Sequence, residues 1–304
     1  MKAILFGPFV GELYWECGRF APILPFYKLN RYKGKNYKYI AITREDRFDL
    51  YGQYADILVP LRIDGDYITK HPNCFRLNGL KEHQYRTLAE KIRKKYSKRY
   101  NIVEHIYPDV SNRGYVNKNQ FSQNRMLFRY KPRKDNYDLI QKYMPRDKPY
   151  VILAPRYRDG FMRNWNRWPE FYDKLASEKK LLKEFNFIIC GKKGEYIPDE
   201  KHRFYDMNDI QLTEHASLVG LLLVLMENAF FVFGSQSALP NIALLYNIDV
   251  LEFGCQKRLH TITYNIKNSP IRFIENKKYD IGVDQIYGEL KKLLKKKRRN
   301  TDGK

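Results

Sequence analysis

The sequence predicts an α/β protein of two domains, each a parallel sheet flanked by helices. Three observations lead there. Short apolar runs alternate with helix-length stretches along most of the chain, the pattern of parallel strands joined by crossover helices. The length of 304 residues suits two domains of ordinary size. In the clearest segment, Phe230 to Gly254, an apolar run ends in a turn of glycine and hydroxyls and a helix starts at once. A second apolar run then ends in Glu252-Phe253-Gly254.

The elements follow in order. Ala3–Phe6 reads as a buried first strand, followed by the loop Gly7-Pro8-Phe9-Val10-Gly11 and a helix from about Leu13. Tyr39–Thr43 and Ile57–Val59 are further strands with helix-like segments between them. Leu80–Tyr100 is a strongly basic helical pattern. Periodicity fades from Asn101 to Tyr150, and the polar, basic stretch Ser111–Lys134 predicts an irregular region with a linker ending near Pro149. The boundaries drawn are residues 1–145 for an N-terminal α/β domain and 146–304 for a C-terminal α/β domain ending in a basic helix. In the second, Tyr150–Ala154 is a strand and Pro169–Leu182 a helix with proline in its first turn. Phe187–Cys190 is a strand, Ser217–Glu227 a helix begun by serine, and Phe230–Phe233 a strand. Leu239–Tyr246 is a helix, Val250–Phe253 a strand, and Asp284–Lys297 a last helix running into Lys295-Lys296-Lys297-Arg298-Arg299.

Composition narrows the partners. A hydrophobic content of 43% supports real cores. Fifty-six Lys and Arg against 34 Asp and Glu give a formal net charge of +22, more than solubility requires and suited to a polyanionic partner. Richness in Tyr, Asn and Ile offers a second source of lysine, an AT-rich coding sequence. The cysteines Cys17, Cys74, Cys190 and Cys255 are far apart and form no C-x-x-C, which fits a reducing cytoplasm (a host's, if the chain is viral). The N-terminus does not read as a signal peptide. The most apolar segment, Leu218 to Phe233, is too short to span a bilayer. The six histidines show no metal-ligand spacing, and Asp64-Gly65-Asp66 reads as an ordinary turn rather than a calcium loop. No Walker lysine motif or Gly-x-Gly-x-x-Gly is present, so phosphoryl and hydride transfer lose support.

The turn at Gly234 carries the chemistry. Unpaired N–H groups and the dipole at a helix N-terminus attract anions, and a diphosphate is the natural ligand. Ser235, Gln236 and Ser237 supply the helix-end contacts. Arg156, Arg158, Arg163, Arg167 and Lys192 follow neighbouring strands, where ligands of parallel sheets bind. Arg167 and Arg156 are preferred, because a forked guanidinium grips phosphate oxygens in pairs; a solvated basic rim is the alternative. Glu252, at a strand end, is placed to bond ribose hydroxyls or is a plain edge residue.

The order of these motifs resembles the heptosyltransferase family. It is carried by Asn164-Trp165-Asn166-Arg167-Trp168-Pro169-Glu170 after Ala-Pro-Arg, then Phe187 to Glu195 ending Gly191-Lys192-Lys193-Gly194-Glu195, then the Gly234-to-Ala243 turn and helix. The likeness covers Tyr150 to Gly254. It implies two Rossmann-like domains facing a central cleft, the GT-B type, and sugar transfer from a nucleotide-diphosphate donor (UDP- or ADP-sugar type) with inversion. An acidic residue after a glycine in the loop following the first strand is the family's catalytic base, and Gly11-Glu12 occupies that place. Glu16, one helical turn on, is the reserve candidate. The family's Asn-Asp-Ser-Gly turn with a following His is replaced here by Ser235-Gln236-Ser237-Ala238 and Asn241. The resemblance therefore carries over the diphosphate cradle rather than the heptose. No cofactor or metal is expected, since a helix N-terminus and cations can stabilise the leaving diphosphate.

For the acceptor the charge favours DNA carrying a hydroxymethylated base, as modified by bacteriophage DNA glycosyltransferases. The basic helix, Arg125–Lys134 and the terminal cluster would form a phosphate track, and a duplex base would have to be flipped out. An anionic glycolipid or lipopolysaccharide at a membrane surface is the alternative. A non-catalytic nucleic-acid-binding protein on a transferase scaffold is the third reading.

Overall fold

The structure, a computed structural model, describes residues 1–9, 13–61, 82–107, 130–144, 147–156, 164–191, 204–263, 265 and 267–302. The chain divides into two compact units. The first comprises Met1–Asn136 with Glu214–Leu223, the second Tyr137–Thr213 with Val224–Lys304.

In the first unit, β1 (Lys2–Phe6), β2 (Lys38–Thr43), β3 (Ile57–Pro60) and β4 (Asn101–Ile106) form an all-parallel sheet of order β3-β2-β1-β4. Ala3, Ile4, Leu5 and Phe6 are all fully buried, as expected of a central parallel strand covered on both faces. The helix Glu82–Ser97 lays Leu88, Ile92 and Tyr96 against Leu5, Ile40 and Ile42, a spacing of one helical turn each. Short helical segments, Leu13–Trp15, Glu16–Phe20, Ile23–Phe26 and Tyr27–Arg31, follow β1, and Tyr27 meets Phe6 edge-on at 5.8 Å. The strand β4 was not foreseen, because its pattern is mixed. It lies at the sheet edge, and Glu104 in it accepts hydrogen bonds from Tyr27 (3.2 Å) and Tyr32 (2.6 Å).

The second unit holds six parallel strands. They are β5 (Tyr150–Ala154), β6 (Asn186–Ile189), β7 (Tyr205–Asp206), β8 (Phe231–Ser235), β9 (Val250–Gly254) and β10 (Ile271–Glu275), in the order β10-β9-β8-β5-β6-β7. The stretch expected as one helix from Pro169 is two, Trp168–Ser177 and Lys179–Glu184, broken at Glu178, whose ψ of 73° is not helical. Trp165 and Trp168 are fully buried, with rings 5.3 Å apart, and pack on Phe171, Phe233 and Phe253. The two tryptophans of the basic-Trp-Pro motif thus build the core and hold the segment that follows β5 in place. Trp165 also donates to the Ile281 carbonyl at 2.9 Å. Among the described residues no helix is long and apolar enough to cross a membrane.

Candidate functional site: the switch point of the second sheet

The strand order fixes where a ligand can sit. From the central β5 the chain proceeds outward through β6 and β7, then returns to the other side of β5 with β8 and proceeds through β9 and β10. Loops leaving the C-terminal ends of β5 and β8 therefore diverge, and that divergence opens a crevice. Arg156 leaves β5 there, and Ser235, Gln236 and Ser237 leave β8 there, running into the helix Ala238–Leu245. The two strand ends touch. A Cβ added to Gly234 would lie 2.7 Å from both the Cβ and the carbonyl oxygen of Ala154, so only glycine permits this approach.

The turn is braced from within. Arg156 is 7% exposed, and its Nη1 donates to the Gln236 carbonyl at 2.5 Å. The Gln236 side-chain oxygen accepts from Cys255 N (3.0 Å), Gln256 N (3.2 Å) and Tyr279 Oη (3.1 Å), while its Nε2 donates to Gln256 at 2.6 Å. Gly254 leaves room for it, since a Cβ there would come within 2.5 Å of that oxygen. Gln236 was expected as a donor contact; its amide is instead occupied in joining the turn to the end of β9.

The two serines differ. Among the described residues the hydroxyls of Ser235 and Ser237 are buried without a hydrogen-bond partner, and so is Oδ1 of Asn241, whose Nδ2 donates to the Ser237 carbonyl at 2.7 Å. Ser237 stands at the N-cap with extended backbone (φ −156°), yet its side chain does not cap the helix. A capping serine ordinarily satisfies one of the orphan N–H groups of the first turn. Here two hydroxyls and an amide oxygen are left without a partner among the described residues, at a helix start that no side chain caps and where Pro240 has no N–H to offer. Each unmade bond costs about 1–3 kcal/mol, a cost that an anion at the helix end would remove.

The other expected residues fall elsewhere. The fork of Arg167 closes on Glu170, with Nε–Oε2 at 2.8 Å and Nη2–Oε1 at 3.1 Å. Among the described residues no hydrogen bond links it to the 235–237 turn. Glu252 lies in β9 level with Gly234 and is fully buried, with Oε1 at 2.7 Å from His260 Nδ1. Glu12, Lys192, Arg158 and Arg163 lie outside the described residues, as does Asp64-Gly65-Asp66. Tyr279, Gln256 and Asn241 were not foreseen as parts of the turn. Asn241 alone carried a signal, one turn into the helix.

In the first unit Glu16 is 1% exposed. Its Oε1 accepts from Thr43 Oγ1 (2.7 Å) and Tyr51 Oη (2.8 Å), and Arg47 Nη1 is 3.5 Å from Oε2. Burial raises its pKa above the ordinary 4.5, outweighing the attraction of Arg47. A carboxyl whose pKa is raised by folding binds more protons in the native state. Its contribution to stability is full below pH 4.5 and is lost as pH rises through the folded value. Glu16→Gln should therefore gain stability relative to the native chain as pH rises from 4.5, read from urea midpoints across pH. A constant difference would show that burial does not perturb this carboxyl.

Comparison with known proteins comes down to fold. No protein-family profile matches the chain, and no curated protein matches it by sequence. Solved structures do match. Glycosyl transferase family 9 from Veillonella parvula superposes with a TM-score of 0.57 at 10% identity over 97% of each chain. The ADP-heptose lps heptosyltransferase II of E. coli gives 0.57 at 12% identity, over 98% of this chain and 100% of the other. E. coli heptosyltransferase WaaC with ADP gives 0.51 at 11% identity, over 96% and 99%. The fold is accordingly the α/β fold of two Rossmann-like domains found in GT-B glycosyltransferases.

Proposed function

We propose that the chain is a glycosyltransferase that takes a sugar from a nucleotide-diphosphate donor and passes it to an acceptor hydroxyl. The observation that carries this reading is the set of unsatisfied polar groups at the β8 turn, Ser235 Oγ, Ser237 Oγ and Asn241 Oδ1, beside the buried Arg156. Such a site stabilises a departing diphosphate through fixed N–H groups, hydroxyls and a guanidinium, without calling on a metal. Lys192 and Arg167 are proposed as further phosphate contacts on their sequence positions after strands, and Glu252 as the ribose contact on its place near the end of β9. Glu12 is proposed as the base that takes the acceptor proton during in-line attack, which inverts the sugar carbon.

A single substitution tests the donor site. Because the Ser237 hydroxyl has no partner among the described residues, Ser237→Ala should leave the melting temperature unchanged or raised. It should weaken binding of a nucleoside diphosphate by about tenfold, the worth of one bond to a charged group. Titration calorimetry with ADP, UDP and GDP reads both the base preference and the loss. Affinity unchanged in Ser237→Ala and in Arg156→Ala would remove the donor site.

For the acceptor we favour an anionic glycolipid, supported by the name of the E. coli neighbour, an lps heptosyltransferase. A hydroxymethylated base in DNA is the second reading. It draws on the outer face of the helix Glu82–Ser97 and the residues after it, where Lys91, Arg93, Lys94, Lys95, Lys98 and Arg99 are all exposed. Steep loss of duplex binding between low and moderate salt, with transfer to hydroxymethylated DNA, would favour DNA. Transfer to lipopolysaccharide alone would end it.

A further inference from the structure

A cavity lies in the second unit at the opposite end of the sheet from the β8 turn. It is lined where three strands begin, by Phe231 of β8, Asp249 and Val250 at β9, and Pro270, Ile271 and Arg272 at β10, and closed by Leu293, Lys296 and Lys297 of the last helix. Its volume is about 380 Å³, within the range of small-molecule sites. Since a strand rises about 3.3 Å per residue, five-residue strands separate the two sites by roughly 13 Å or more. The donor turn and this cavity are therefore separate features.

The walls divide by chemistry. Phe231, Val250, Pro270, Ile271 and Leu293 supply apolar lining, and Arg272, Lys296 and Lys297 supply three cations beside the carboxylate of Asp249; Arg272 Nε also lies 3.4 Å from Glu289 Oε2, outside the lining. Asp249 is already matched, with Oδ2 at 2.5 Å from Lys297 Nζ. The same helix adds Lys292, Lys295 and Arg299, all exposed, and Arg298, whose Nη1 meets Glu184 Oε2 at 2.8 Å. The apolar face of that helix, Ile286, Leu290 and Leu294, is fully buried in the core. It therefore has no free apolar stripe to insert into a bilayer. What the helix presents outward is a predominantly basic surface beside an apolar recess.

We infer that this cavity seats an anionic phospholipid of a membrane surface, its phosphate on Lys296 and the neighbouring cations and the first part of its acyl chain on the apolar lining of Leu293 and Ile271. Charge complementarity selects an anion, and the apolar lining selects one carrying hydrocarbon rather than free phosphate. The inference does not rest on sugar transfer; it would hold for a chain that transfers nothing.

The test uses the full chain and sedimenting vesicles at physiological salt, either phosphatidylcholine alone or with a third phosphatidylglycerol. Binding is expected only to the second kind. Leu293→Trp fills the recess without changing charge and should weaken binding at least about tenfold, as should Lys296→Gln. Lys292→Gln, outside the cavity on the same helix, should lose about fivefold or less, the effect of one surface charge. Circular dichroism melts confirm folding, and if Leu293→Trp fails to fold, the comparison of Lys296→Gln with Lys292→Gln decides. Equal losses for the two lysines, full binding by a folded Leu293→Trp, or no binding to anionic vesicles would each overturn the inference. Displacement from vesicles by millimolar glycerol phosphate would assign the site to soluble phosphates instead. Nucleoside-diphosphate affinity, unaffected by these substitutions, keeps this outcome distinct from that of the donor site.

Discussion

Glu12→Gln is expected to lower turnover by about 100- to 10,000-fold while nucleoside-diphosphate affinity stays within about twofold, the range for loss of a general base. The neutral amide keeps the shape of the side chain and removes its ability to take a proton. The reserve candidate, Glu16, is unsuited to the role. It is buried, and its oxygens are engaged by Thr43, Tyr51 and Arg47. Glu16→Gln should thus change the pH dependence of stability and leave kcat nearly intact. The loop after β1 is also held at its start. Gly7 has φ +93°, and a Cβ there would lie 2.1 Å from the Ile42 carbonyl oxygen. His105 Nε2 lies 2.7 Å from the Gly7 carbonyl, and burial lowers its pKa, so at neutral pH an uncharged imidazole donates that bond. Turnover measured by release of nucleoside diphosphate, with and without acceptor, reads the outcome. A Glu12→Gln chain with native kcat would end the assignment of the base and leave the binding-protein reading in front.

How far the fold was legible follows from how strands are buried. The central strands β1, β5, β8 and β9 read as continuous apolar runs because both faces are covered. The segments β4, β7 and β10 escaped. Each pairs with a single neighbour at a sheet edge, and their partly exposed faces carry residues such as Glu104, Asp206 and Arg272 that blur the pattern. The helix Lys134–Tyr143 was hidden in the same way inside a stretch read as irregular. At the β8 turn, the position of Ser235 and Ser237 at a helix start was legible because glycine, hydroxyls and a helix start are adjacent in sequence, and that of Arg156 because it follows the apolar run of β5. The brace was not, since Tyr279 reaches Gln236 across 43 residues. Two residues were legible in type but not in partner. The Gln236 amide faces the fold, and the Arg167 fork meets Glu170 three residues away. Local chemistry identified the turn, while pairing was decided by which strands lie side by side.

Asp49→Ala should lower stability by about 3 kcal/mol, the lower part of the range for breaking a buried ion pair, because Arg133 is a third exposed and regains water. The Asp49 side chain itself has no exposure. Its Oδ1 accepts from Arg133 N (2.7 Å), Arg133 Nε (3.2 Å) and Asn136 Nδ2 (3.1 Å), and its Oδ2 from Arg133 Nη2 (3.0 Å) and Ser217 Oγ (2.8 Å). Ser217 N in turn donates to Asn136 Oδ1 at 3.0 Å, and Ser217 Oγ accepts from Gly220 N at 2.9 Å. Gly220 is fixed as glycine, since a Cβ would come within 2.4 Å of the Asn136 amide. One carboxylate thereby fastens two stretches to the first unit, each close to where the chain leaves it, after Asn136 and after Leu223. Alanine removes the acceptor of five hydrogen bonds from three residues, two of which, Asn136 and Ser217, are buried. Asp49→Asn keeps the shape and one carbonyl acceptor, so it should lose about half as much. Urea denaturation followed by circular dichroism measures both, and an Asp49→Ala midpoint equal to the native one would mean that these bonds are replaced by water at no cost. Because the turn proposed to hold the donor lies in the second unit, nucleoside-diphosphate affinity should survive in Asp49→Ala under conditions where both units remain folded.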